Sequence, residues 1–308
     1  MPQRDGYIPG VPCWVDVSEP DLDAAREFYG GLFGWEFEDV MPPSVAGNYF
    51  IARGETVGSS IFDTSGEPRS GDVAAIRSIP QGAPPTAMWS TYFWVDGADE
   101  TVSRVREAGG GVVAEPFDFL DACRTAVLTD PEGAAFSVWE AREHKGARLV
   151  NDPGAVVFNS LNTRDAEGAR SFYGSVFGWR TADIGGRAEG WTLPGYGDWL
   201  AREHHPGLRR RLARAGAPEG FEDVVGGVIP IADNQPDTPP QWSVSFATAD
   251  ADATAEKATE LGGRVIVPPF DAPWSTDTYA IRITVIGDQQ GATFTASNFM
   301  PKSKNFGS

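Results

Sequence analysis

The chain has 308 residues, of which 41% are hydrophobic and 22% charged, a balance typical of a folded globular protein. Its formal net charge of −18 argues against nucleic acid or an anionic membrane as a partner, because both select for basic surfaces. No run approaches the roughly 18 consecutive apolar residues of a membrane helix, and the N-terminus has no apolar signal region, so we expect a cytoplasmic protein. The 2 cysteines, Cys13 and Cys123, are too few for a disulfide framework.

The first predicted helix has an apolar stripe at helical spacing, with Leu22, Ala25, Phe28, Tyr29 and Leu32 on one side. It ends in the phrase FYGGLFGW at 28–35. A second helix ends in FYGSVFGW at 172–179, with six of eight letters identical. Glycine is the usual residue at which a chain leaves a helix. The two phrases therefore predict equivalent helices whose aromatic residues face a sheet.

The similarity between the two halves extends beyond these helices. Residues 89–118 align without a gap on residues 242–271, and the alternation and helical periods give β-α-β-β-β followed by β-α-β-β-β in each half. A repeat of about 150 residues indicates duplicated domains rather than a solenoid, whose repeats are roughly 20 to 50 residues. We predict an α+β protein with domains at 1–145 and 146–308, the second with an inserted aromatic and arginine-rich segment around 186–220.

Three features resemble the vicinal oxygen chelate superfamily, which includes glyoxalase I, extradiol dioxygenases and bleomycin-resistance proteins. They are the FYxxxFGW helix end, the strand that precedes a helix ending in Gly-Gly, and the closing turn DPEG at 130–133. The resemblance covers nearly the whole chain. It implies tandem glyoxalase-like domains, each of paired βαβββ modules that form a cup-shaped eight-stranded mixed sheet. Because four modules can close two cups within one chain, we expect a monomer or a homodimer.

The resemblance also implies three strand positions that hold metal ligands in metal-dependent members. In this sequence they fall at Pro12, Ser90 and Ser137 in the first copy, and at Val156, Ser243 and Thr295 in the second. None of these side chains carries the imidazole, carboxylate or thiolate that a divalent transition metal prefers. The 3 histidines, His144, His204 and His205, lie outside these strands. We therefore expect no metal and no cofactor, with a metal enzyme of displaced ligands as the alternative.

Strand alternation predicts what lines the cups, because every second residue faces the same side. The predicted ligand-binding residues are Trp14, Ser90, Trp94, Ser137 and Trp139 in the first copy and Phe158, Ser160, Trp191, Tyr196, Trp199, Ser243 and Thr295 in the second. The alternative is that the aromatic residues fill a core. Tyr92, Trp94 and Trp139 correspond to Ser245, Ala247 and Ser297, so the first copy has the bulkier lining.

Asp16 and Tyr92 are the predicted catalytic residues. Asp16 lies on a strand that faces the cup, and its counterpart is Ser160, so the shared fold does not require a charge there. A carboxylate in such a place is paired, exposed or functional. One interpretation is a general acid or base, or an anchor for a ligand hydroxyl. The other is an ion pair with an arginine such as Arg124, or a solvated rim position.

The inserted segment predicts a helix broken by Pro206, followed by an arginine-rich face at Arg209, Arg210, Arg211 and Arg214. That face is either an anion site or a surface helix that neutralises nearby acids. Trp191, Tyr196 and Trp199, together with neighbouring glycines, predict a mobile aromatic flap that closes over the second cup.

Taken with the resemblance, these residues predict a metal-independent protein that acts on a bulky, partly aromatic small molecule. We expect a tailoring enzyme of secondary metabolism, of the isomerase, lyase or cyclase type, that uses acid–base chemistry. The alternative is a protein that binds and sequesters such a compound, as the bleomycin-resistance branch does. Binding requires only the cup, whereas catalysis requires an ionisable group at the right place. A small molecule is the expected partner in both cases.

Overall fold

The computed structural model describes residues 4–56, 68–185, 188–273, 275, 277 and 279–302. The chain forms four successive modules, each with a strand, a helix and three further strands, as predicted. The first module contains β1 (Pro12–Glu19), α1 (Leu22–Phe33), β2 (Glu36–Asp39), β3 (Tyr49–Thr56) and β4 (Arg69–Ser78). The second contains β5 (Met88–Trp94), α2 (Ala98–Glu107), β6 (Gly111–Phe119), β7 (Cys123–Thr129) and β8 (Ala135–Ala141).

The third module carries the inserted segment between its last two strands. It contains β9 (Val156–Thr163), α3 (Ala166–Phe177), β10 (Arg180–Gly185), β11 (Ala188–Thr192), α4 (Tyr196–Glu203), α5 (Leu208–Arg214), a 3-10 turn (Phe221–Asp223) and β12 (Val224–Pro230). The fourth contains β13 (Gln241–Ala247), α6 (Ala251–Glu260), β14 (Arg264–Asp271), β15 (Tyr279–Gly287) and β16 (Thr293–Pro301). The helix of the inserted segment is interrupted between α4 and α5 at Pro206, as predicted. Residues 186 and 187 of the predicted insertion lie outside the described residues.

The strands form two eight-stranded sheets of the same topology. Their orders are β2-β3-β4-β1-β5-β8-β7-β6 and β10-β11-β12-β9-β13-β16-β15-β14. In the first sheet β1 pairs with β4 and β5 pairs with β8 in parallel, whereas hairpin neighbours such as β7 and β8 are antiparallel. Two mixed sheets with helices packed on them confirm the predicted α+β class.

The repeated phrase forms the ends of α1 and α3. Asp21 caps the N-terminus of α1 by accepting hydrogen bonds from two backbone N–H groups, and Asp165 caps α3 in the same way from one. Gly34 and Gly178 end the two helices in the left-handed region, with φ of 72° and 74°, where glycine has no steric penalty. The predicted helix ends are confirmed. Across the described ranges, no helix has the length and apolarity needed to cross a membrane.

Contacts between backbone positions divide the chain into two compact units, each of which takes one module from each half of the sequence. Unit one consists of Met1–Trp14, Thr91–Gly146 and Phe158–Ser243, and unit two of Val15–Ser90, Ala147–Val157 and Val244–Ser308. The proposed domain boundary between residues 145 and 146 stays a prediction.

The same buried hydrogen-bond network occurs in both units. In unit two the Tyr29 hydroxyl donates to Asp288 Oδ2 over 2.8 Å and accepts from Trp89 Nε1 over 3.1 Å. In unit one the Tyr173 hydroxyl donates to the Asp130 carboxylate over 3.1 Å and accepts from Trp242 Nε1 over 2.9 Å.

These tyrosines belong to the repeated phrase, and each lies in an aromatic core. In unit two the core includes Phe28, Tyr29, Trp35, Phe246 and Phe294. Buried polar groups need such partners, since an unmade hydrogen bond in the interior costs about 1 to 3 kcal/mol. The phrase FYGGLFGW therefore serves the scaffold.

Candidate functional site

The strands β5 and β8 of unit one have one face in the core and one face lined by the predicted ligand-binding residues. Phe93 and Val138 are fully buried on the core side. In the parallel pairing, Tyr92 lies opposite Ser137 and Trp94 opposite Trp139. Residues directly opposite each other in a sheet have side chains on the same face. These four side chains therefore lie on the same face of the sheet.

The same face continues across β7 and β6. Trp139 lies opposite Thr125 on β7, and Thr125 lies opposite Phe117 on β6. Phe117 is 43% exposed, an unusual state for so large an apolar side chain. We call this the aromatic face, and it consists of Tyr92, Trp94, Phe117, Thr125, Ser137 and Trp139. Tyr92, Thr125, Ser137 and Trp139 are buried, Trp94 is half-buried, and Phe117 is exposed. Sequence reasoning missed Phe117, although EPFD and PPFD recur at 115–118 and 268–271.

Trp14 and His144 pack against this face from outside the four strands. The Trp14 ring lies 4.6 Å from the His144 ring and 6.2 Å from the Trp139 ring, and the Tyr92 ring lies 5.6 Å from Trp139. Trp139 Nε1 donates to the His144 carbonyl over 3.0 Å. His144 belongs to the segment after β8, and only the folded path of that segment reveals its position beside Trp14.

The corresponding face of the second sheet, in unit two, has small side chains. Ser245 lies opposite Thr295, and Ala247 lies opposite Ser297. The register confirms that Trp139 and Ser297 are counterparts. Phe270 is the counterpart of Phe117 and is 39% exposed. The aromatic bulk therefore belongs to the first copy and is not required by the fold.

Asp16 forms a buried polar group within unit two. Its side chain is 0% exposed, its Oδ1 lies 3.0 Å from Arg77 Nε, and its Oδ2 accepts a hydrogen bond from the Tyr49 hydroxyl over 3.3 Å. Arg77 lies close to Asp16 because β4 pairs in parallel with β1, which places Arg77 opposite Ser18, two residues beyond Asp16.

The interpretation of Asp16 as one half of an ion pair with an arginine is confirmed, but the arginine is Arg77 and not Arg124, the example given. The Arg124 guanidinium binds Asp99 at 2.6 Å and Asp118 at 3.0 Å on the surface of unit one. The two arginines cannot be told apart from sequence, because the parallel pairing of β1 with β4 joins segments about 60 residues apart.

Ser160 and Ser243, two of the predicted ligand-binding residues, belong with Asn162 to a neutral hydrogen-bonded cluster in unit one. Asn162 Nδ2 donates to Ser243 Oγ over 3.2 Å, and Ser243 Oγ donates to the Ser160 carbonyl over 3.2 Å. Gly227 lies opposite Ser160, and a Cβ on it would approach Phe158 and the Ser160 hydroxyl to 2.8 Å. Glycine at this position leaves room for the Phe158 ring.

The aromatic residues of the insertion separate into two groups. Trp191 is fully buried in β11 and packs 5.5 Å from Tyr173. Its contact with a ligand stays a prediction. Tyr196 and Trp199 lie on α4, with ring centroids 5.9 Å apart. The closing motion over the second sheet stays a prediction.

The arginine-rich face of the insertion includes a paired surface arginine. Arg209 binds Asp198 and Glu222, each over 2.8 Å. This arrangement agrees with a surface helix that neutralises nearby acids.

The positions that correspond to the family's metal ligands do not fit a divalent ion. Ser137 is 3% exposed, whereas Pro12, Ser90, Val156, Ser243 and Thr295 are half-buried. A hydroxyl or an apolar side chain supplies neither the charge nor the softness that such ions select. Within the part of the chain that the structure describes, no group of three or more His, Cys, Asp or Glu side chains is placed to hold a metal.

A family model described as the Glyoxalase/Bleomycin resistance protein/Dioxygenase superfamily matches residues 14–138 and 154–295. The chain belongs to this superfamily. A relative named "Putative glyoxylase CFP32", from Mycobacterium tuberculosis, is 36% identical to this superfamily member over 98% of its chain and 100% of the relative. The anthracycline biosynthesis protein DnrV of Streptomyces peucetius is 35% identical over 87% of both chains.

Two solved structures have a fold similar to that of this superfamily member. The Mn(II)-bound glyoxalase from Novosphingobium aromaticivorans matches with a TM-score of 0.54 at 14% identity, over 94% of this chain and 83% of that one. Homoprotocatechuate 2,3-dioxygenase from Brevibacterium fuscum matches with a TM-score of 0.56 at 12% identity, over 99% of this chain and 77% of that one. At these identities the likeness concerns the fold alone.

Proposed function

We propose that this protein binds a bulky, partly aromatic metabolite on the aromatic face and transforms it without a metal, as a tailoring enzyme of the isomerase, lyase or cyclase type. The aromatic face is the observation that carries the proposal. Flat π-systems stack on or pack edge-to-face against such side chains, which adds about 0.5 to 1.5 kcal/mol per ring pair beyond area burial. Similarity to proteins named for anthracycline biosynthesis supports a polycyclic ligand.

Replacement of Trp139 by serine, the residue of the second copy, should weaken binding of an anthracycline about 10- to 100-fold. The indole is the central ring of the aromatic face, and the loss of one well-packed aromatic contact costs about 1.4 to 2.8 kcal/mol. Quenching of tryptophan fluorescence by the ligand measures the affinity, and circular dichroism verifies the fold of the variant.

A pair of exposed residues provides the matched control. Phe117→Ala should weaken binding several-fold, whereas Phe270→Ala, at the counterpart position of the other sheet, should leave the affinity unchanged. Both side chains are about 40% exposed, so their removal affects stability similarly. Equal effects of the two substitutions would show that the ligand does not bind at the aromatic face.

Asp16→Asn distinguishes an enzyme from a sequestering protein. Asp16 is our proposed proton-transferring group, and Tyr92 is a second proposed catalytic residue. General acid–base catalysis contributes about 10²- to 10⁴-fold, so the variant should lose turnover by that factor while ligand affinity changes little. Product analysis by mass spectrometry and the fluorescence titration measure the two quantities. Unchanged turnover would remove Asp16 from the chemistry.

The sequestration alternative is favoured by one observation. Asp16 is already neutralised by Arg77, an arrangement that also suits a purely structural ion pair. A protein that binds anthracycline biosynthetic intermediates and returns them unchanged would establish that alternative. Stoichiometric Zn, Fe, Mn or Ni in untreated protein would overturn the metal-independent part of the proposal.

A further inference from the structure

Arg4 is a buried arginine that lies among aromatic rings of unit one. It is 7% exposed, and its guanidinium carbon lies 4.7 Å from the centre of the Tyr7 ring and 5.9 Å from that of Trp199. Its Nη1 donates to the Tyr196 hydroxyl over 3.4 Å, near the upper limit for a hydrogen bond. Arg4 thus joins the insertion helix α4 to the N-terminal segment.

Among the described residues no carboxylate forms an ion pair with Arg4, although Asp5 and Glu203 are near enough to act on the neighbouring His204. The polar contacts of Arg4 are the phenols of Tyr7 and Tyr196. Burial raises the pKa of Tyr7, which keeps that phenol neutral. A guanidinium has five N–H donors and stays protonated, and a buried charge is costly unless an opposite charge pairs with it. Stacking on Tyr7 and Trp199 offsets part of that cost.

His204 is a second buried polar group in this cluster. The imidazole is 5% exposed, its ring packs edge-on against Trp199 at 4.7 Å, and its Nε2 meets no hydrogen-bond partner among the described residues. Burial and the nearby Arg4 charge lower its pKa, so the ring is neutral at pH 7. A buried imidazole nitrogen beside a buried guanidinium is suited to a polar ligand group.

The cluster adjoins the aromatic face. The Tyr7 ring lies 6.0 Å from the Trp94 ring. The backbone fixes this placement, because Gly10 N donates to the Trp94 carbonyl over 2.8 Å and Trp94 N donates to the Val11 carbonyl over 2.9 Å. Arg4 therefore lies beyond Tyr7 at the Trp94 end of the aromatic face.

We propose that Arg4, with His204 and Tyr196, forms a subsite for a carboxylate carried by the aromatic ligand. The proposal rests on the proposed function, since the aromatic face would hold the ring system whose acidic group reaches Arg4. Arginine matches a carboxylate with two parallel hydrogen bonds, a geometry that lysine lacks. The incoming carboxylate would supply a full negative charge and accept hydrogen bonds from the guanidinium.

Two probes of the same ring system test the subsite, anthraquinone-2-carboxylate and the uncharged anthraquinone-2-carboxamide. The full chain should bind the carboxylate at least about 10-fold more tightly, as a charge-assisted pair of hydrogen bonds implies. Arg4→Met should remove this preference and leave the affinity for the carboxamide nearly unchanged. Arg4→Lys should retain only part of the preference. Arg209→Met removes the same charge from a surface arginine and should have no effect.

The outcomes separate this proposal from the proposed function. If the carboxamide binds as tightly as the carboxylate, the subsite is overturned while binding at the aromatic face stands. If Arg4→Met weakens both probes equally, Arg4 only holds the N-terminal segment in place, which also overturns the subsite. If neither probe binds the unaltered protein, the proposed function fails and the subsite fails with it.

Discussion

Replacement of Arg77 by methionine should destabilise the protein by about 3 to 5 kcal/mol, because it removes the guanidinium that lies beside the buried Asp16 carboxylate. Asp16 is fully buried, and its Oδ2 accepts a hydrogen bond from the Tyr49 hydroxyl. The free energy of unfolding in urea at pH 7 measures the loss. Methionine retains the aliphatic bulk of arginine, so the change reports mainly on charge.

The matched control is Arg124→Met. Arg124 forms ion pairs with Asp99 and Asp118 at the surface, and exposed pairs contribute about 0 to 1 kcal/mol. The double variant Asp16→Asn/Arg77→Met should recover part of the loss, because the buried carboxylate charge is gone, and the double-mutant cycle isolates the pair from other contacts of Arg77. An Arg77→Met variant no less stable than Arg124→Met would contradict the importance of this pair.

Glu19→Gln should stabilise the protein at neutral pH by up to about 3 kcal/mol. Glu19 is 1% exposed, its two oxygens accept no hydrogen bond from a described donor, and its neighbour is the Asp288 carboxylate. Asp288 Oδ1 already accepts bonds from three backbone N–H groups, of Gln290, Gly291 and Ala292. Burial, followed by the proximity of Asp288, raises the pKa of Glu19 from 4.5 to about 10.

The raised pKa determines how stability depends on pH. In the folded state Glu19 is protonated at pH 7, whereas in the unfolded chain it is ionised, so its contribution is complete below about pH 4.5 and is lost as pH rises towards 10. The loss is about 1.4 kcal/mol per pH unit, or roughly 3 kcal/mol at pH 7. Glutamine does not titrate, and its amide N–H can donate to Asp288 in place of the carboxyl O–H.

Unfolding measured from pH 4 to pH 9 checks this expectation. The variant should equal the parent at pH 4 and exceed it increasingly at higher pH. Glu27→Gln makes the same substitution on the exposed side of α1 and should shift stability by less than about 0.5 kcal/mol. Glu19→Thr installs the residue found at the equivalent place, Thr163, and should reduce the pH dependence as well. Parallel pH curves for parent and Glu19→Gln would refute the buried protonated acid.

Patterns among neighbouring residues predict the helices and strands, and they predict which residues of a single strand share a face in the candidate site. The stripe from Leu22 to Leu32 and the glycines after it determine α1, because helix period and left-handed caps are properties of neighbouring residues. Alternation in the same way places Tyr92 and Trp94 on one strand face. The duplication adds a comparison within one chain, and it identifies Trp139 as bulk that the fold does not need.

Contacts between distant segments are beyond such patterns. Arg77 reaches Asp16 through a parallel strand pair, and Tyr29 reaches Asp288 from 259 positions away. Phe117 joins the aromatic face through the bulged register of β6 with β7. Each depends on which strands become neighbours, and neither helix period nor alternation contains that information.

Unit two combines segments from both halves of the chain, and this affects how the protein folds during synthesis. Its core joins Phe28 and Tyr29 to Phe246 and Phe294, so the hydrophobic cluster cannot close until the ribosome has released nearly the whole chain. Until then the aromatic side chains of α1 remain exposed. Contacts of such long sequence separation also slow folding, since loop closure precedes the gain from packing. We expect the nascent chain to depend on chaperones that shield exposed aromatic residues during synthesis.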